Sequence, residues 1–417
     1  MNKRRSSVLY ILLLCFCSVS LSQVKSPSEF LGYELGSQFT RHHQVLDYFY
    51  YIAEQKSKLV EIKEYGRTYE DRPMILAFIS GADNIKKLES IRMDNLKRAG
   101  LVDGAPTNPV SIVWLSYNVH GNEAVSTEAS LQTLYELVKS EDSELDFLKN
   151  TVVVIDPCLN PDGRERYVNF YWENGAFPFN PDPYASEHFE RWPGGRPNHY
   201  LFDLNRDWAW QSQIESKQRM KVYNEWLPHI HVDFHEQGVN SPYYFAPAAE
   251  PFHELITDFQ RDFQVEIGKN HAKYFDEKGW LYFTRQVFDL LYPSYGDTYP
   301  TFNGSIGMTY EQGGSGRAGL GIIKQEGDTL TLKDRIDHHH TTGFSTIEMA
   351  SKNVEKILSS FSDFFGDKES LRYKTFILKN DGNEDKMNSL KDWLDAQDIQ
   401  YNAVESSSGA RGVNYAN

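Results

Sequence analysis

Two runs, PVSIVWLSYNV at 109–119 and TVVVIDPCL at 151–159, limit the fold more than anything else in this 417-residue chain. Both are apolar and β-branched almost throughout, so neither offers a face to water. Strands of that kind lie in a sheet covered on both sides, and their neighbours are joined by helices. The text between them agrees, because AVSTEASLQTLYELVKS at 124–140 has helical apolar spacing. Upstream, a helical stretch precedes the strand-like KLVEIKEYG and MILAFIS, which flank the turn RTYEDRP as a hairpin. DNIKKLESIRMDNLKRAG then reads as one helix ending on Gly100. The expected fold class is α/β, with a mixed, partly parallel sheet and helices on both faces.

Residues 164–200 break this rhythm with prolines, glycines and many aromatics, including NFYWENGAFPFNPDPYASEHFERWPGG. They read as a long loop forming a wall or lid over a site. Beyond about residue 365, YKTFILKN reads as a strand, EDKMNSLKDWLDAQDIQ as a helix and YNAV as the start of another strand. Residues 367–417 are therefore expected to begin a C-terminal α/β domain that is cut short. Residues 23–366 form the expected main domain.

Residues 1–22 have the form of a cleavable leader. Lys3, Arg4 and Arg5 precede the apolar VLYILLLCFCSV, and Ser18, Ser20 and Ser22 follow as small residues. The apolar run is too short to read as a stable membrane span, so a secreted or periplasmic location is expected. Neither Cys15 nor Cys17 follows a small residue, which argues against a lipid anchor. Removing the leader leaves only Cys158, so no internal disulfide forms in the mature chain. The formal charge of −15 argues against nucleic acid or an anionic membrane as partner.

Chemistry gathers at the ends of the strand-like runs. HGNE, His120 to Glu123, follows the first run and precedes a helix, and sites in parallel α/β sheets lie at strand carboxyl ends. A histidine and a glutamate three residues apart in a tight turn converge on one metal ion, although alone the tetrapeptide is as readily a surface turn. NPDG at 160–163 follows the second run, and GRPNHYLFDLNRDW occupies 195–208. With these motifs in this order, the chain resembles the zinc metallocarboxypeptidases, the carboxypeptidase A-like family, over roughly residues 35–350. GRPNHYLFDLNRDW aligns without a gap on that family's Gly-Arg-x-Asn-x-x-x-x-Asp-Leu-Asn-Arg segment.

The resemblance implies one zinc ion held by His120, Glu123 and a histidine after a later strand. It implies that Arg196 polarises the scissile carbonyl, since a guanidinium stabilises an oxyanion without changing protonation. Asn205 and Arg206 match the pair that grips the substrate's terminal carboxylate. Asp203 matches a carboxylate that orients the first zinc histidine.

PHIHVDFHEQG at 228–238 holds three histidines. Its period of two places His229, His231, Asp233 and His235 on one face. Same-face neighbours are about 7 Å apart along a strand, against zinc–nitrogen bonds of about 2.1 Å, so the three cannot share one ion. Only the residue at the strand's carboxyl end meets HGNE. That is His235, where the family also places its third ligand. His229 and His231 read as buried, hydrogen-bonded partners within the sheet.

The resemblance places the catalytic glutamate at Glu311, in IGMTYEQGG, with Glu236 a rival that points elsewhere. The family also has a mobile tyrosine, for which FDLLYPSYGDTYP offers Tyr292, Tyr295 and Tyr299, with Tyr292 preferred. Asp297 in that stretch would favour a basic terminal residue if it pointed inward. HHH at 338–340 reads as a surface turn or helix start, not a second metal cluster.

The expected activity is a zinc metallocarboxypeptidase cleaving the C-terminal bond of peptides or proteins. A related zinc amidohydrolase acting on cell-wall peptides or acyl-amino acids is an alternative. So is a non-catalytic peptide-binding module, though the set His120, Glu123, His235, Arg196 and Glu311 argues against it.

Overall fold

The computed structural model describes residues 24–139, 146–366, 375–378, 380 and 382–403. The leader expected at 1–22 lies outside them. An eight-stranded sheet forms from β1 (Val60–Arg67), β2 (Pro73–Ile79), β3 (Ser111–Tyr117), β4 (Thr151–Asp156), β5 (Ile230–Gln237), β6 (Tyr243–Tyr244), β7 (Tyr282–Phe283) and β8 (Ile306–Gly313). The spatial order is β1-β2-β4-β3-β5-β8-β6-β7. Strands β4, β3, β5 and β8 are mutually parallel, while β1–β2 is the antiparallel hairpin the sequence predicts.

The parallel strands are buried, apart from Gln237 at the end of β5, because both faces are covered. Val113, Leu115, Val232, Phe234, Met308 and Tyr310 pack with the helices Val125–Val138, Asp258–Lys278 and Leu332–Lys352 on one face. Ile112, Trp114, Val152 and Val154 pack with Ile214–Trp226 and Leu88–Arg98 on the other. Each such fully buried apolar side chain stabilises the fold by roughly 1.5–3 kcal/mol. The chain leaves β3 through a helix to β4 on one side, then crosses to β5 on the other. The crevice between β3 and β5 is therefore the switch point of the sheet, where parallel α/β folds open a site.

Several elements differ from the sequence reading. The expected loop at 164–200 begins inside a helix, Pro161–Asn174. Asn160 caps that helix by accepting from the Gly163 amide, Pro161 fixes its first residue, and Tyr167, Val168 and Tyr171 bury one face. The single helix expected over 83–100 is two, Ala82–Ile85 and Leu88–Arg98. The HHH triplet lies mid-helix within Leu332–Lys352, not at a surface turn or helix start.

Near the C-terminus the helix Glu384–Ala396 forms, but described residues 375–378 and 401–403 are not strands. Strand preference is expressed only against a cross-strand partner, and no described strand lies beside them. This C-terminal helix buries none of its residues. It meets the main body through Trp393 Nε1 and Gln397 Nε2, which both donate to the carbonyl of Ala209, at 2.7 and 2.6 Å.

Candidate metal and catalytic site

The turn after β3 is folded by Asn118, which takes a left-handed φ of 64°. Its Nδ2 donates to the carbonyls of His120, Gly121 and Glu123 at 2.6, 3.3 and 3.1 Å. Asparagine tolerates this backbone region better than most residues and turns its own side chain onto the bend. Three segments then meet at glycines. A Cβ on Gly121 would lie 2.2 Å from the Arg164 amide nitrogen, and one on Gly163 would lie 2.4 Å from the Gly195 carbonyl oxygen. HGNE, NPDG and the GGRP strap are thus pressed together with no room for side chains at the contacts. Glu190 ties strap to turn, accepting from Asn122 Nδ2 at 2.9 Å and from the Gly195 amide.

His120, Glu123 and His235 converge at the ends of β3 and β5, all buried. His120 Nδ1 is 2.9 Å from Glu123 Oε1, His235 Nδ1 is 3.0 Å from Glu123 Oε2, and the two Nδ1 atoms are 3.2 Å apart. Ligands about 2.0–2.1 Å from a tetrahedral zinc are separated by roughly 3.3 Å, so the spacing suits one ion. The other ring nitrogens are held by carboxylates. His120 Nε2 bonds Asp203 Oδ1 at 2.9 Å, and His235 Nε2 lies 3.0 Å from Asp233 Oδ2 as an ion pair without hydrogen-bond alignment. Such partners fix ring orientation and leave Nδ1 free for a metal.

The electrostatics also fit a cation. Burial works against a charged imidazole, yet Asp233 and Glu123 hold His235 well above its ordinary value. Burial likewise opposes ionisation of Glu123 and Asp203. His120 and His235 nevertheless keep Glu123 well below the usual carboxylate range, and His120, Arg196 and Arg206 do the same for Asp203.

Asp233 is a residue the sequence reading did not use. Its position two before His235 on the same strand face was the available signal. Gly296 makes room for it, since a Cβ there would lie 1.9 Å from Asp233 Oδ2.

Glu311 is the register partner of His235 across the parallel β5–β8 pair, which places both on one sheet face. Its Oε2 is buried and has no hydrogen-bond partner among the described residues. Burial pushes its carboxyl up to about 8, with Glu123 and Asp233 adding to that against the pull of His235. Glu236 is spoken for: it accepts from Arg335 Nη1 and from the amides of Val125 and Ser315, each at 3.0 Å.

The arginines sit at the opening. Arg196 is 42% exposed and donates from Nη2 to Asp203 at 3.0 Å and from Nη1 to Glu123 at 3.2 Å. Arg206 is 46% exposed and lies over the Tyr295 ring at 4.5 Å. Asn205 Oδ1 accepts from the Gly296 amide at 2.9 Å, and its Nδ2 lies 3.3 Å from His235 Nε2. Tyr292 is half-buried, with its hydroxyl accepting from Trp210 Nε1 at 2.9 Å. Tyr299 is buried and donates to Gln397. The condition placed on Asp297 is not met, because its carboxylate oxygens accept from Thr298 and Thr309 hydroxyls and are buried.

The other histidines of the 228–238 strand and the 338–340 triplet have protein partners instead. His229 Nδ1 accepts from the Ile112 amide at 2.9 Å, and His231 Nε2 pairs with Ser116 Oγ at 2.8 Å. His338, His339 and His340 bond Gln312, Tyr243 and Thr133. Glu70, Asp162 and His199 also gather, but Arg72 Nη1 sits between the two carboxylates at 2.5 and 2.6 Å and already supplies the charge.

A model of the zinc carboxypeptidase family matches residues 45–227. The match holds His120, Glu123, Arg196, Asp203, Asn205 and Arg206, while His235 and Glu311 lie beyond it. Among solved structures, a metallo-carboxypeptidase from Burkholderia cenocepacia is similar at 14% identity and a TM-score of 0.51, covering 75% of this chain and 69% of its own. Carboxypeptidase A from Helicoverpa armigera is similar at 15% and 0.50, covering 81% and 76%. Bovine thrombin-activatable fibrinolysis inhibitor, in complex with tick carboxypeptidase inhibitor, is similar at 13% and 0.50, covering 78% and 99%. The likeness to these structures is one of fold, and it meets the resemblance drawn from the motifs.

Proposed function

We propose, for a chain that has the zinc carboxypeptidase fold and matches that family's model over residues 45–227, that it hydrolyses the C-terminal peptide bond of peptides or proteins. The observation that carries this reading is one set of neighbours. His120, Glu123 and His235 point their ligand atoms at a common centre, and Glu311 lies on the same sheet face with an oxygen free.

A zinc ion held by those three residues supplies, when bound, Lewis-acid polarisation of the scissile carbonyl and a lowered pKa for attacking water. The chain's own groups do the rest. Arg206 and Asn205 hold the terminal carboxylate of the substrate, and Arg196 stabilises negative charge on the carbonyl oxygen. Glu311 takes a proton from water as the carbon–oxygen bond forms, then gives it to the amine as the carbon–nitrogen bond breaks. Tyr292 is proposed as the tyrosine that meets substrate, because the indole of half-exposed Trp210 is a partner it can exchange. Tyr299, buried and bound to Gln397, is unsuited to that part.

Export is part of the proposal, resting on the leader-like residues 1–22. No helix among the described residues is long and apolar enough to cross a membrane. The test is release of single terminal residues from a peptide panel, each member paired with its C-terminally amidated form. The reading predicts turnover of free termini, abolished by amidation. Equal cleavage of both forms favours the amidohydrolase alternative instead, and peptide binding without turnover favours the binding module.

A further inference from the structure

Loop 207–211 continues directly from Asn205 and Arg206, and it is held from two sides. From one side Ser294 Oγ accepts from the Ala209 amide at 2.9 Å and donates to the Arg206 carbonyl at 2.8 Å. From the other comes the C-terminal helix, with Trp393 and Gln397 both donating to the single carbonyl of Ala209. Gln397 Oε1 also accepts from the Tyr299 hydroxyl at 2.8 Å, so one side chain pins this loop to the 298–302 helix. Trp210 packs against Trp393, ring centroids 6.0 Å apart, and the same indole holds the Tyr292 hydroxyl. The half-buried stripe Met387, Leu390, Trp393, Leu394 and Gln397 faces inward at helical spacing, yet no residue of the helix is buried.

We propose that the C-terminal helix is a detachable brace for the substrate-carboxylate grip, with Trp393 and Gln397 as positioning residues that act through Ala209 and Trp210 on Arg206, Asn205 and Tyr292. Two donors on one carbonyl are more than loop closure needs, and they fall three residues after Arg206. A helix with no fully buried residue contributes little to the stability of the body, so its docking falls mainly on this loop. This inference rests on the carboxypeptidase reading, because the grip has work to do only if a terminal carboxylate binds.

The test uses the full chain. A Trp393→Ala/Gln397→Ala variant is compared with wild type and with Asp392→Asn, on the exposed side of the same helix. In the double variant KM for a free-terminus peptide rises about tenfold, with kcat within about twofold, because binding is lost and not chemistry. Zinc content and Tm stay at wild-type values, and Asp392→Asn behaves as wild type. Gln397→Glu, which keeps the acceptor for Tyr299 but loses the donor, falls between. Amide hydrogen exchange across 203–211 quickens in the double variant, a readout independent of activity. Unchanged KM and unchanged exchange would overturn the brace. A lower KM would overturn it too, by making the helix a cover. Wild-type protein that releases no terminal residue sinks the carboxypeptidase reading instead, while the exchange result still reports on the docking.

Discussion

Histidines crowd two regions of this molecule, and the regions treat them in opposite ways. At the ends of β3 and β5, His120 and His235 each have a carboxylate on the outer nitrogen and share Glu123 on the inner one. In helix Leu332–Lys352, three consecutive histidines meet an amide oxygen and two hydroxyls. Carboxylates hold His235 up, whereas burial among neutral partners pushes His338 and His340 down to about 4. The first region is built to hold positive charge and the second to hold neutral rings. Histidine density is therefore a poor guide to a metal site, and the carboxylate behind the ring is the better one.

Exchanging the regions' roles by mutation tests this contrast. The largest effect is expected at His235→Ala, which removes a proposed zinc ligand and leaves Glu123 without its His235 partner. Bound zinc falls to background by mass spectrometry and turnover goes with it. The matching change in the other region, His338→Gln, keeps zinc at wild-type content. Glu311→Gln separates chemistry from binding: kcat drops by about 10²–10⁴-fold while zinc stays bound. Loss of zinc in that variant would move Glu311 among the ligands.

Asp233→Asn addresses the carboxylate behind the ring. Zinc affinity is expected to weaken by about 10–100-fold, measured by competition with a chelator. His231→Ala, one step further along the strand, leaves affinity unchanged. Equal effects from both would mean that the strand responds to packing and not to the carboxylate.

The smallest effect is a pH dependence of stability. His271, bonded to Ser345 and Tyr310, is held near 3 by burial, below the usual imidazole value of 6.5. Between those values the unfolded chain binds the proton and the folded chain does not, so this residue's contribution is present above pH 6.5 and lost as pH falls toward 3. Asp156, raised by burial to about 7, has the opposite sign, so the informative quantity is a difference. In zinc-free protein, His271→Gln should lose less Tm than wild type between pH 7 and pH 5. Parallel losses would mean that His271 is not kept neutral in the fold.

Much of this was legible in the sequence, for reasons that can be named. The runs at 109–119 and 151–159 are buried on both faces, and the β5 and β8 segments carry alternation that assigns His235 and Glu311 to one side. HGNE spans only four residues, so it reads without knowledge of the fold. What was missed depends on distant partners. The triplet at 338–340 is placed by Gln312, Tyr243 and Thr133, from three separate segments. Asp233 gains its role from Gly296 making room more than sixty residues away. The helix start at Asn160–Pro161 was a local signal, an N-cap followed by proline, obscured by reading NPDG only as a motif. The strands expected near 375 and 401 failed because a strand is a property of a pair.

The central claim is that one ion sits where the carboxylate-backed histidines converge. A crystal of the zinc-loaded protein, measured at the zinc absorption edge, tests it directly. The account predicts a single anomalous peak among His120 Nδ1, His235 Nδ1 and the Glu123 carboxylate, with none at 338–340 or at Glu70 and His199. No peak at the first position, or a peak at either of the others, would contradict it.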